Sequence, residues 1–398
     1  MSVMISPFDA RATRTSEKFT AFPPDVIPMF VAEMDCTLAE PIRDALLTAV
    51  RASDTGYLGR TRALPDAFAE FAERRWGWEL DTGLVHTTTD VSVAAVEILR
   101  RVTTPGDQVV IMPPVYPPFW EFVDEAGCTA TEVPLLPPEG AADPFDTTAG
   151  WRIDLEGMAR AFANGARTVL LCNPHNPLGL VHSRESLAAL ARLAAEWDAV
   201  VVSDEIHAPL THVDATFTPF LDSCPEAAEL GVTVTAASKG WNIAGAKCAL
   251  MVGASDRAAD WFAALPREVE ERTSILGYHA SVAAYRDGEP WLESLLGELV
   301  TNRRLLAELL PAALPGAAFR QPQASYLAWL DLRATAWGDD PAVPLLDAAR
   351  VALGHGPEFG TQGAGHARLN FGCSEETLRE AISRLASAGV QAEGAPAR

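Results

Sequence analysis

The stretch TVLLCNPHNPLG (168–179) decides the fold. Its first five residues, aliphatic and β-branched, predict a strand, and the Asn173-Pro174 and Asn176-Pro177 pairs turn the chain at its end. The same pattern recurs twice downstream: AVVVS (199–203) runs into Asp204-Glu205-Ile206-His207, and TVTAAS (233–238) runs into Lys239-Gly240. VVIM (109–112), TATEV (129–133) and CALMV (248–252) predict further strands. Between them lie helical patterns such as SRESLAALARLAAEW (183–197), opened by Ser183 and carrying Leu187, Leu190, Ala191 and Ala194 on an apolar stripe. This alternation, from about Asp90 to Val252, predicts an α/β domain with a mostly parallel sheet. In open α/β sheets ligands bind beyond the carboxyl ends of the strands, so the three polar loops are expected to converge there.

Upstream, EPIRDALLTAVR (40–51) predicts a helix with proline in its first turn and Ile42, Ala45, Leu46, Ala49 and Val50 on one face. VSVAAVEILRRV (91–102) predicts another, with Val93, Val96, Leu99 and Val102 aligned. Beyond residue 283 the texture changes to a long helix (290–314), a strand YLAWLDL (326–332), a Gly-rich segment GTQGAGHARLNFG (360–372) and a last helix EETLREAISRLASA (375–388). The expected division is an N-terminal segment, 1–45, contributing to a small domain; a large α/β domain, 46–283; a small C-terminal α+β domain, 284–390; and a disordered tail, 391–398.

Composition narrows the function. The 398 residues carry 31 basic against 53 acidic side chains, a net charge of −22. That acidity speaks against nucleic acid or an anionic membrane as partner. No run approaches the length of a membrane span and no secretory signal is visible, so a cytoplasmic protein is expected. The six cysteines are scattered without a C-x-x-C pair, which suits reduced thiols and offers no metal site. Only three lysines are present, Lys18, Lys239 and Lys247, so chemistry that needs an amine has three candidates.

An amide, a carboxylate and a lysine meeting in one crevice are what pyridoxal 5′-phosphate chemistry asks for. The lysine carries the cofactor aldehyde as a Schiff base, and the carboxylate keeps the pyridine nitrogen protonated so that the ring accepts carbanion electrons. The amide donates to the ring 3′-oxygen. Each element alone has a plainer reading: NPHNPLG as a turn, Asp204 as a cap, Lys239 as a surface lysine. Their joint occurrence, each after a strand, favours the chemistry.

The phrases FVAEMDC (30–36), DTGY (54–57), PPVYPPF (113–119), CNPHNPLG (172–179), VVSDEIHAPL (201–210), ASKGWNIAGAKCAL (237–250), YLAWLD (326–331) and ARLNFG (367–372) make the resemblance specific. From about Phe30 to Leu385 the chain resembles fold-type I pyridoxal-phosphate enzymes, with the aspartate aminotransferase fold. Within them it resembles the cystathionine β-lyase (C–S β-lyase) branch typified by MalY and PatB, to which SDEIH and NIAG are more typical than to general aminotransferases.

The resemblance implies Lys239 as the Schiff-base lysine, Asp204 as the partner of the pyridine nitrogen, Asn176 as donor to the 3′-oxygen and Tyr116 as the ring stacked on the cofactor. His207 stands where aminotransferases carry a tyrosine near the 3′-oxygen; it either tunes the ring or hydrogen-bonds within the wall. For the phosphate, the resemblance implies the helix start at Val91 and Ser92, with Ser238 and Lys247 as hydroxyl and basic donors. Lys247 replaces a common arginine and retains the alternative of a plain surface lysine. Tyr57 is implied to reach the phosphate from a neighbouring subunit, so a homodimer with its active site at the interface is expected. Asp90 replaces a glycine of many relatives; it is expected to cap the helix with its oxygens turned away from the phosphate. Arg368 is implied to clamp the carboxylate of a small amino acid substrate.

The implied activity is C–S β-lyase cleavage of cysteine S-conjugates to thiol, pyruvate and ammonia. Transamination, or a specialised biosynthetic β-elimination or β-replacement, would use the same lysine, aspartate and arginine. A purely binding, regulatory role would not need to retain them.

Overall fold

The computed structural model describes residues 2–138 and 150–394, with side chains described up to Gly389. Its strands in chain order are β1 (Ile27–Met29), β2 (Val85–Thr88), β3 (Gln108–Ile111), β4 (Thr129–Glu132), β5 (Thr168–Cys172), β6 (Val200–Asp204), β7 (Gly231–Thr235), β8 (Ala249–Val252), β9 (Leu327–Asp331), β10 (Val351–His355) and β11 (His366–Asn370). Seven of them form one sheet in the order β2-β8-β7-β6-β5-β3-β4. All neighbours there are parallel except β8, which runs antiparallel to both β2 and β7. Strands β5, β6 and β7 are buried along their whole length, as expected of central strands with both faces covered.

Most predicted elements are present within a residue or two. The helix Arg184–Glu196 is capped by Ser183, which accepts from the Ser186 amide at 3.2 Å, and it buries the four stripe residues. Three expectations need correction. Strand β7 ends at Thr235, and Ala237–Gly240 is a single helical turn that carries Lys239. The Val91–Val102 helix buries a broader face, Val91, Ala94, Ala95, Val96, Ile98 and Leu99, because it lies flat on the sheet; Val93 and Val102 sit at its margins. The Glu40–Arg51 helix packs Ile42, Ala45, Leu46 and Ala49 of the expected face inward, the first and last buried and the other two half-buried, but leaves Val50, at the margin of that face, 56% exposed.

A second sheet has the order β1-β10-β11-β9, with β1 parallel to β10 and the remaining pairs antiparallel. The Gly-rich segment supplies β11, and β1 brings the N-terminal segment into this sheet. The long helix Glu289–Ala313 and the last helix, Glu375–Gly394, pack on each other. The last helix includes residues 391–394 of the expected disordered tail; residues 395–398 lie outside the described ones. The expected boundaries after residues 45 and 283 both fall inside helices, and we propose the helix ends near Ala39 and Gly288 instead. Among the described residues no helix is long and apolar enough to cross a membrane, and all six cysteines are free thiols.

One buried ion pair ties the long helix to the loop after β6. Arg303, 1% exposed, donates to Asp214 Oδ2 at 2.6 Å, Asp214 Oδ1 at 3.1 Å, Pro322 O at 2.9 Å and His212 Nδ1 at 3.0 Å. Burial pushes the Asp214 carboxyl up, but the Arg303 hydrogen bonds outweigh it and hold it below its ordinary value. Its contribution to stability is therefore present above the ordinary carboxylate range and lost as pH falls through the depressed value. Asp214→Ala leaves the guanidinium buried without its counter-charge and is expected to cost about 2 kcal/mol, less than a fully buried pair because Asp214 reaches solvent. Urea denaturation of the variant and the parent measures it.

Candidate active site

The parallel register sets the site. Cys172 stands opposite Asp204 in the β5–β6 ladder, and Asp204 opposite Val234 in the β6–β7 ladder. The loops that follow these strands therefore leave the sheet at one edge. They enclose a cavity of about 390 Å³ that also touches the start of the 91–102 helix and Ala32 of the N-terminal segment.

In the 173–179 loop, Gly179 has φ +62°, and a Cβ there would lie 2.2 Å from Pro322 Cβ and 2.7 Å from Ala324 O. Only glycine lets this turn close on the 322–324 segment, whose amides at Gln323 and Ala324 donate to Gly179 O at 2.8 and 3.1 Å. Asn176 is thereby held 5% exposed on the cavity wall. Its Oδ1 accepts from Arg368 Nη1 at 3.2 Å, so the group left to donate into the cavity is Nδ2.

Asp204 and Glu205 divide their work. Glu205 Oε1 is spent on the protein, accepting from Phe220 N at 2.7 Å, Ser203 Oγ at 2.9 Å and Asn173 Nδ2 at 3.3 Å. Asp204 lines the cavity; its Oδ1 accepts from Ile206 N at 3.1 Å, and among the described residues no donor reaches Oδ2. Burial pushes this carboxyl up to about 7, against the Ile206 amide and Lys239, which work the other way. A cationic partner in the cavity would restore its charge.

Lys239 donates from Nζ to Ala32 O at 2.8 Å, and Tyr326 donates its hydroxyl to the same carbonyl at 2.8 Å. Burial first, and then the Arg368 cation, bring the Lys239 amine down to about 8. His207 is held neutral by burial and by the Lys239 and Arg368 charges, its pKa lowered to about 3. Among the described residues its buried Nδ1 has no partner, and its ring lies edge-on to Tyr326 with centroids 6.2 Å apart. Tyr116 is raised to about 12 by burial, so its ring is a neutral wall.

The segment over this site is fixed through its main chain. Phe30 O accepts from Arg368 Nη2 (2.7 Å), Val31 O from Asn370 Nδ2 (2.7 Å), and Glu33 O from Asn370 Nδ2 (2.6 Å) and Lys18 Nζ (2.9 Å). Asn242 closes a pair of 2.9 Å bonds with the Met34 N–H and C=O. With Ala32, every carbonyl from Phe30 to Met34 is held by a side chain. Lys18 is itself buried and paired with Asp35 at 2.8 Å, which leaves Lys239 and Lys247 as the lysines of the cavity.

Val91, Ser92, Ser238 and Lys247 all line this cavity, and Lys247 is tied to the start of the 91–102 helix through Asp90. Asp90 caps that helix as expected, its Oδ1 accepting from Ser92 N at 3.2 Å. Its second oxygen is not turned away, however: Oδ2 lies 2.6 Å from Lys247 Nζ. Arg368 is not part of the cavity surface. The buried guanidinium, bonded to Asn176 of the cavity wall, lies 5.0 Å from the Phe359 ring centroid, and among the described residues its Nε has no partner. Tyr57 is 96% exposed and lies outside the cavity of its own chain.

Tyr326, Asn242 and Asn370 had no role in the sequence reading. All three stand in the phrases that carry the resemblance, and what would have singled them out is their pairing with carbonyls far away in the chain.

The family model for aminotransferase class I and II matches residues 40–385. The chain belongs to that family. A protein of Mycobacterium leprae named "Putative cystathionine beta-lyase" is 42% identical over 400 residues, 95% of each chain. The cystathionine beta-lyase PatB of Bacillus subtilis is 34% identical over 92% of each. The crystal structure of a "putative plp-dependent beta-cystathionase" from Corynebacterium diphtheriae superposes with a TM-score of 0.91 at 34% identity, over 98% of this chain and 99% of that one. Within the family the chain thus lies in the MalY/PatB branch.

The site fits pyridoxal phosphate. A carboxylate oxygen without a donor and an amide nitrogen free to donate face one cavity with an amine of lowered basicity, an aromatic wall and four residues of phosphate-binding type, Val91, Ser92, Ser238 and Lys247. Lys239, Asp204, Asn176 and Tyr116 would hold the ring, and Val91, Ser92, Ser238 and Lys247 the phosphate.

Because only three lysines exist, 15N-lysine NMR of the cofactor-free chain resolves each amine. The Lys239 signal is expected to titrate near 8, and Arg368→Gln to move that midpoint upward, since removing a neighbouring cation favours the protonated amine. A midpoint unmoved by the substitution would deny the coupling.

Proposed function

We propose that the chain is a pyridoxal-phosphate-dependent C–S β-lyase that cleaves cysteine S-conjugates such as cystathionine to a thiol, pyruvate and ammonia. One observation carries this reading: the Lys239 amine, the Asp204 carboxylate and the Asn176 amide share a single cavity, in a chain whose relatives are cystathionine β-lyases by name.

The bound cofactor supplies a sink for the electrons left at the substrate's Cα. The protein's own residues do the rest. Lys239 removes the Cα proton; its lowered basicity leaves part of the amine unprotonated near neutral pH. The bond to Ala32 O anchors the amine while it waits, and the Tyr326 hydroxyl on the same carbonyl fixes that acceptor. Asp204 holds the proton on the pyridine nitrogen by its charge, and the cationic partner in turn keeps this buried carboxyl ionised. Arg368 clamps the substrate's α-carboxylate in place of one of its present acceptors, Phe30 O or Asn176 Oδ1, so that the Cα–H bond is turned toward Lys239. Neutral His207 and the Tyr116 ring exclude water from the reacting carbon. Departure of the β-thiolate then replaces reprotonation as the next event, which separates this reaction from amino-group transfer.

The same reading makes the working unit a homodimer. Tyr57, 96% exposed, is the residue to cross the interface, and the exposed Leu47 and Val50 of the 40–51 helix offer apolar surface near it in sequence.

L-Cystathionine supplied without any keto acid is expected to yield pyruvate and free thiol in equal amounts. Lys239→Ala should lower that rate by about 10²–10⁴-fold. A strict requirement for added keto acid, with keto-acid product replacing thiol, would move the assignment to transamination.

A further inference from the structure

The start of the 91–102 helix is occupied by an anion of the protein's own. Asp90 Oδ1 accepts from the Ser92 amide at 3.2 Å and from the Ser92 hydroxyl at 3.1 Å, while Oδ2 takes the Lys247 ammonium at 2.6 Å. A first-turn amide, a hydroxyl and an ammonium are also the donors that a phosphate monoester takes. They lie on the cavity that holds Lys239 and Asp204.

We propose that the Asp90 carboxylate is a resident competitor of the cofactor's phosphate. In the cofactor-free chain it occupies the phosphate's donors, and on loading the two anions exchange for them, so that Asp90 sets how tightly the cofactor is retained. The inference rests on the assignment of Val91, Ser92, Ser238 and Lys247 as the phosphate end.

Electrostatics gives the exchange its cost. Burial pushes the Asp90 carboxyl up, but Lys247 and the Ser92 hydrogen bonds outweigh it and keep the group below its ordinary value, so it remains an anion at neutral pH. A phosphate arriving there meets a like charge at close range and a lysine whose charge is already matched. Ser238 is outside the Asp90 hydrogen bonds, and its hydroxyl is the first foothold for the phosphate. Lys247 then moves from carboxylate to phosphate; its side chain is 55% exposed, so the movement does not require the core to open. Two other roles make different predictions. A plain helix cap would not affect phosphate affinity. A carboxylate that aims Lys247 at the phosphate would strengthen binding, and its loss would weaken it.

The test compares pyridoxal phosphate with pyridoxal, which keeps the aldehyde and ring and lacks the phosphate. The full-length enzyme is stripped of cofactor and titrated with each, following absorbance and tryptophan fluorescence. Asp90→Asn keeps the capping oxygen and removes the charge; Asp90→Gly removes the side chain at a capping position where glycine costs little. Both are expected to bind pyridoxal phosphate at least about tenfold more tightly, with pyridoxal affinity unchanged. Lys247→Ala is expected to weaken pyridoxal phosphate alone. If Lys247→Ala behaves so while both Asp90 variants bind pyridoxal phosphate no better than the parent, the competitor role is overturned and the phosphate end stands. If Lys247→Ala affects the two ligands equally, the phosphate end itself is misplaced and the inference falls with it. Thermal melting of the cofactor-free variants checks that each is folded.

Discussion

The register of three parallel strands governs this molecule. Asp204 can face the cavity only because β6 is paired so that it stands level with Cys172 on one side and Val234 on the other. Side chains alternate along a strand, so a one-residue slip would exchange Asp204 with Glu205 and turn toward the cavity a carboxylate that now binds Phe220, Ser203 and Asn173. The apolar residues of β5, β6 and β7, buried on both faces, make such a slip expensive. The hydrophobic core thus acts as the device that aims the site.

The second constraint is the segment from Phe30 to Met34, which joins the smaller sheet to the cavity. Its carbonyls are bonded by side chains from the lysine loop, from β11, from Tyr326 just before β9 and from Lys18. Two of these donors, Lys239 and Arg368, are also the groups assigned to act on the substrate. The segment holds them in the cofactor-free chain, giving Lys239 its acceptor and Arg368 a second one beside Asn176 Oδ1. On the proposed mechanism, engagement of substrate would exchange a main-chain acceptor for the substrate's own, which would couple this segment directly to occupancy.

Much of this was legible in the sequence. The β-branched runs of β5 and β6 announce buried strands, and the polar residues after β5, β6 and β7 announce a binding edge, not singly but because Asn, Asp and Lys occur together, each after a strand. The short strands were not legible: β1 is three residues with a proline in the middle, and β2 buries only its two end residues, without the alternation that would set it apart from a loop. The broad buried face of the 91–102 helix was missed because small alanines fill it where a stripe of larger residues was sought. At the site, side-chain chemistry was readable and main-chain chemistry was not. Any residue offers a carbonyl, so nothing marks Ala32 as the acceptor for a lysine some two hundred residues away. The direction of the second Asp90 oxygen likewise depends on where the Lys247 turn comes to rest.

The account requires one amine, at position 239, to bond the cofactor aldehyde beside Asp204. Borohydride reduction of the loaded enzyme fixes the cofactor to whichever amine carries it, and peptide mass spectrometry then reads its position. The account predicts a pyridoxyl phosphate adduct on Lys239 and none on Lys18 or Lys247, with the Lys239 adduct lost in Lys239→Ala. An adduct on Lys247, or a loaded protein that yields no adduct at all, would contradict it.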